Sequence, residues 1–119
     1  DHLVIFYPLW LGSMPALLKA FLEQVFRPGV AFEYRAQGKM AKKLFTGKSA
    51  RIVVTMGMPA LVYRWFFLAH SLKSLERNIL AFCGIKPTRA TLIGQVEGMN
   101  ERQRASWLDE MRGLGDVGK

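Results

Sequence analysis

The chain is 119 residues long, half of them hydrophobic and 12% aromatic, which suits one domain with its own core and excludes a disordered polar tail. Its formal net charge of +8 raises nucleic acid, anionic lipid or a phosphorylated ligand as partners, yet no zinc-ligand spacing, RNA-stacking motif or basic heptad region accompanies it, so nucleic acid is not expected. One cysteine, Cys83, excludes an internal disulfide; nothing surrounds it at metal-ligand spacing, so no metal is expected and a reducing, cytoplasmic setting is.

Leu3 to Tyr7 is a continuous apolar run of strand length. By hydropathy, Leu3 to Leu22 would pass for a membrane span, but Pro8, Gly12 and Pro15 would break it in its middle, so strand, loop and helix replace a transmembrane segment. The helix is expected near Ser13, as its cap, with Pro15 in the first turn and Leu17, Leu18, Phe21, Leu22 and Val25 along one apolar stripe, ended by Arg27-Pro28-Gly29. Pro28 to Lys48 is long for a bare connector. Its aromatics, Phe32 and Tyr34, suit capping a planar ligand, docking a partner subunit or packing beneath the loop, and its basic cluster (Lys39, Lys42, Lys43, Lys48, with Arg51) reads as solvated.

Arg51 to Thr55 is a second strand, rich in β-branched residues. Neither run alternates with polar residues, so both are expected to be buried on two faces, in a parallel sheet covered by helices. Beyond the loop Thr55-Met56-Gly57-Met58-Pro59-Ala60 and the aromatic run from Tyr63 to Phe67, the residues Leu72, Leu75, Ile79 and Phe82 recur at helical spacing up to Gly84, with Cys83 as a small core residue. A weaker third strand spans Arg89 to Val96. The last helix opens at Asn100, which forms a capping-box pattern with Gln103, and runs through Trp107, Leu108 and Met111 to Gly113 or Gly115. The element order is β-α-β-α-β-α.

In open α/β sheets ligands bind at the carboxyl ends of the strands, where free N–H groups face a crevice. The loops around Trp10 and around Gly57 share that edge and suit the polar rim of a flat heterocycle. Tyr63 and His70 add a phenol and an imidazole able to donate protons or stabilise charge as an electron carrier is reduced, with a structural role as the alternative. Phosphate-cradling glycine loops, nucleophile elbows and paired histidine ligands are missing.

The stretches Pro8-Leu9-Trp10-Leu11-Gly12-Ser13-Met14-Pro15-Ala16-Leu17-Leu18-Lys19, Phe21 to Phe26, Gly47 to Arg51, Thr55 to Pro59 and Asn78 to Gly84 resemble the bacterial flavodoxin-like NAD(P)H:quinone oxidoreductases over nearly the whole chain. The resemblance implies a three-layer α/β/α flavodoxin-like sheet and a flavin, FAD or FMN. It also implies NAD(P)H as co-substrate, hydride transfer to the flavin and two-electron reduction of a quinone. Pro8, Leu9, Trp10, Leu11 and Gly12 match the loop lying against the flavin ring. Thr55, Met56, Gly57 and Met58 match a second flavin loop, which in the family often reads Thr-Thr-Gly-Gly. Tyr63 matches a tyrosine that stabilises charge on the flavin together with a histidine; His70 stands one position out of step with that histidine. Phe32 and Tyr34 match aromatics that close the substrate pocket of the neighbouring subunit, which implies a homodimer. Because family members begin with a phosphate-gripping strand, a helix and a second strand, residues 1–119 are expected to be a single, incomplete domain: a carboxyl-terminal portion with three strands, inactive alone. The alternatives are a non-catalytic or regulatory flavodoxin-like subunit, such as the ancillary proteins of potassium-efflux systems, and a fragment binding acidic partners through Lys39 to Arg51.

Overall fold

The computed structural model describes residues 1–119. In chain order it holds β1 (His2–Pro8), α1 (Ala16–Val25), β2 (Phe32–Glu33), β3 (Lys42–Lys43), β4 (Ser49–Thr55), a π-helical turn (Val62–Phe66), α2 (His70–Ser74), a second π-helical turn (Leu75–Leu80), α3 (Ala81–Cys83), β5 (Thr88–Ile93), a short 3-10 turn (Val96–Gly98) and α4 (Glu101–Asp116). The three apolar runs form one parallel sheet in the order β1-β4-β5, with Ile5 opposite Ile52 and Ile52 opposite Ala90.

Central β4 is covered on both faces, and Ile52, Val53 and Val54 are fully buried, as a middle parallel strand requires. β1 departs from the expectation of two buried faces. It is an edge strand: Ile5 and Tyr7 point into the core, while Val4 and Phe6 are 50% and 59% exposed. The apolar stripe of α1 is likewise only half used, since Leu18 and Leu22 pack on the core whereas Leu17, Phe21 and Val25 stay exposed. Between α1 and β1 runs an apolar groove of about 460 Å³, lined by Ile5, Phe6, Phe21, Leu22, Val25 and Phe45 among others.

α2, the second π-helical turn and α3 follow without a break and bury Leu72, Leu75 and Leu80 in the core. The run ends at Gly84, which takes the left-handed conformation expected there, with φ 103°. The Pro28 to Lys48 segment is not bare: β2 and β3 pair as a small antiparallel ribbon. Phe32 on that ribbon is buried with Ala31 and Cys83, its ring edge-on to Phe82 at 4.9 Å and to Tyr34 at 5.3 Å. Cys83 is a core residue, and burial pushes its thiol up. Lys42 pairs with Glu33 and Lys48 with Asp1, so part of the basic cluster is neutralised.

Three expectations are corrected. Ser13 does not cap α1; Pro15 holds that position without a side-chain bond, because the backbone of Ser13 is engaged in a tight turn with Trp10. β5 stops at Ile93 rather than Val96, because the amides of Gln95 and Val96 turn to the carbonyls of Met58 and Met56. α4 has its capping box at Asn100 and Gln103 but runs on to Asp116, and it buries no residue. Arg104 tethers it to the carbonyls of Val96 and Met99. The projecting helix stretches the molecule to 54 × 32 × 24 Å, with a radius of gyration of 16.0 Å against about 13.5 Å for a compact chain of this length. No helix is long and apolar enough to cross a membrane.

Candidate functional site

Two loops leave the sheet side by side at the ends of β1 and β4. After Pro8, the Leu9 amide donates to the Thr55 carbonyl at 2.7 Å, holding the first loop to the second strand. Trp10 and Ser13 then exchange both backbone hydrogen bonds, at 2.9 and 3.0 Å, closing a two-residue turn with Leu11 at φ 47° and Gly12 at φ 76°. Left-handed backbone at both central positions is the requirement of this turn class. Glycine meets it freely. Leucine pays about 1–2 kcal/mol, and the Leu11 side chain is fully exposed, so no packing offsets the strain. Such strain concentrates at functional sites.

The second loop rests on the exit of β5. The Met56 amide donates to the Ile93 carbonyl at 2.9 Å, and the Met56 and Met58 carbonyls accept from Val96 at 3.2 Å and from Gln95 at 3.1 Å. Gly94 makes this approach possible: a Cβ there would stand 2.4 Å from the Ala60 nitrogen and 2.8 Å from the Met58 oxygen. The amides of Leu11, Gly12, Gly57 and Met58 have no partner within the chain.

The π-helical turn after the second loop carries Tyr63, and the left-handed pair Leu68 and Ala69 then swings the chain into α2. Ala69 at the start of α2 offers no side-chain cap. The Tyr63 hydroxyl supplies one: the Leu72 amide donates to it at 3.1 Å, and Ser71 Oγ lies 2.7 Å away. Deeper in, the Tyr7 hydroxyl is buried without a partner, and burial, with the fields of Tyr63 and Glu76, holds its proton far above the usual phenol range.

Leu11, Gly12, Met58, Tyr63, Phe67 and His70 surround one cavity of about 250 Å³. On the other side of Leu11 lies a larger one, about 540 Å³, lined by Trp10, Ser13, Lys19, Ser71, Ser74 and Ile79 among others. Five residues singled out from sequence thus meet at the smaller cavity, and Trp10 faces the larger. Pro8, Leu9, Thr55 and Met56 sit behind them with backbone groups engaged in pairing, and Gly57 stands in open space at the tip of the second loop. Phe32 and Tyr34 line neither cavity; Phe32 is buried under the ribbon and Tyr34 is 76% exposed. Sequence reasoning missed three contributors. Phe67 was signalled by its aromatic run, while Ser71 and Gly94 carried no signal, since each matters only through a contact that the folded backbone makes, Ser71 with Tyr63 and Gly94 with the loop at Met58 and Ala60.

A family model described as Flavodoxin-like fold matches residues 1–113. The FMN-dependent NADH:quinone oxidoreductase 1 of Hahella chejuensis is 39% identical over 87 residues, which are 72% of this chain and 39% of that protein. Ribosyldihydronicotinamide dehydrogenase (quinone) of Homo sapiens is 32% identical over 124 residues, covering 92% of this chain and 51% of that one. The crystal structure of Smu.1420 from Streptococcus mutans superposes with a TM-score of 0.81 at 32% identity, over 96% of this chain and 58% of the other. The chain spans about half the length of the relatives it matches.

Proposed function

The chain belongs to the flavodoxin-like family, and from that premise we propose that it serves a flavin-dependent NAD(P)H:quinone oxidoreductase. The observation that carries this proposal is the cavity at the carboxyl ends of β1 and β4, where Leu11, Gly12 and Met58, whose amides are unpaired, meet Tyr63 and His70, with the unpaired Gly57 amide next to Met58 at the loop tip. Those amides fit the polar edge of a flavin ring. The names of the Hahella and human relatives point to FMN as the flavin and a quinone as the acceptor. A bound flavin would supply two-electron transfer between NAD(P)H and a quinone.

The chain's own residues then hold and orient. The free amides of Leu11, Gly12, Gly57 and Met58 would hold the flavin's polar edge. His70 at the rim, and Tyr63 through the hydrogen bonds of its phenol, would hold and polarise the site toward an anionic flavin edge. Phe67 would give that cavity an apolar wall.

Two features support a larger, paired assembly. The free edge of β1, with its apolar groove, suits completion of the sheet by further strands of the same domain, in keeping with relatives about twice as long. Exposed Trp10, Leu11, Trp65 and Phe66 suit cover by a second copy, whose exposed Tyr34, held edge-on by the buried Phe32, would close the substrate pocket.

The test is spectroscopic. Full-length protein saturated with FMN should show bound-flavin absorbance that NAD(P)H bleaches without oxygen and a benzoquinone restores. Failure to take up FMN or FAD at saturation overturns the proposal.

A further inference from the structure

Tyr63 and Ser71 form a hydrogen-bonded pair in the wall between the two cavities, the tyrosine ring facing the smaller and the serine the larger. Leu72 settles which of them donates. Its amide donates to the phenol oxygen at 3.1 Å, which leaves Ser71 Oγ, 2.7 Å away, as the one acceptor in the chain for the phenol proton. With the opposite polarity the phenol proton of Tyr63, a residue only 2% exposed, would be buried with no acceptor. Ser71 therefore keeps its own proton for the larger cavity, which it lines beside Trp10, Leu11 and Ser13. The chain from Leu72 N–H through Tyr63 to Ser71 polarises each O–H in turn and strengthens the last donor.

We infer that Ser71, aimed by Tyr63, is the hydroxyl that the site offers to a carbonyl oxygen of its ligand, on the flavin or on the quinone. Tyr63 is then a positioning residue acting through Ser71. This assignment rests on the quinone-reductase proposal above.

Ser71→Ala, Ser71→Thr and Tyr63→Phe in the full-length protein test it. Before any FMN is added, Tyr63→Phe should accelerate hydrogen exchange at the Leu72 amide, while Ser71→Ala leaves that amide protected. With FMN and then a benzoquinone, Ser71→Ala should cost about 5- to 10-fold, and Ser71→Thr should recover to within about twofold. Loss in FMN affinity and a shifted flavin potential place the acceptor on the flavin, whereas a raised KM alone places it on the quinone. Adding Ser71→Ala to Tyr63→Phe should cost nothing further, because both remove one chain of donors. If Ser71→Ala binds FMN and quinone like the parent while Tyr63→Phe does not, the assignment is wrong. A protein that takes up neither FMN nor FAD overturns the functional proposal and this assignment with it, whereas flavin uptake with an unaffected Ser71→Ala variant overturns this assignment alone.

Discussion

The two loops that frame the cavity are held by different means. The Trp10–Ser13 turn is closed by its own two backbone bonds and strained at Leu11, with its side chains exposed. The Met56–Ala60 loop has little internal bonding and is shaped by the exit of β5, by Gly94 and by the buried Met56 side chain. One loop is a local object and the other a tertiary one, so damage should travel differently from each.

The sharpest way to break the contrast is Gly94→Ala. The new methyl would collide with backbone of the second loop, which cannot rotate away, so a loss of about 2–3 kcal/mol is expected in urea unfolding, with weakened FMN binding. Gly57→Ala, on the same loop but in open space, should stay within about 0.5 kcal/mol and so act as its control.

Next comes Tyr63→Phe, which strips the acceptor from the Leu72 amide at the start of α2. A loss of about 1–2 kcal/mol is expected by the same measurement. A Tyr63→Phe protein as stable as the parent would mean that the second loop and α2 are held without the phenol.

The smallest effect should have the opposite sign. Leu11→Gly relieves the left-handed strain and gives up no packing, so thermal unfolding should rise by the equivalent of about 1 kcal/mol, less the entropy glycine adds to the unfolded chain. A fall in stability would show that Leu11 is supported by something other than its own turn.

Much of the frame was legible in the residues. The apolar runs at Leu3 and Arg51, the Gly84 stop and the Asn100–Gln103 box are local signals, and each appears where expected. The failures share a cause. Ser13 looked like a cap but its backbone belongs to a turn; Phe21 and Val25 looked like core but face a strand edge with no neighbour; α4 is amphipathic yet buries nothing. In each case periodicity named an apolar face without naming what lies opposite it.

By itself the sequence determined the parallel strands and the two strand-end loops, because turn chemistry and hydrophobic period act over a few residues, and it offered Tyr63 and His70 by their chemistry and Leu11, Gly12 and Met58 through the family resemblance. Only the tertiary structure decided that these five share one cavity, that Met56 is a buried prop, that Phe32 packs under its ribbon, that Ser71 meets Tyr63 and that Gly94 lies against the second loop. Those outcomes depend on how closely β5 and α2 approach the two loops and the turn that carries Tyr63, which the local pattern of apolar and polar residues does not report.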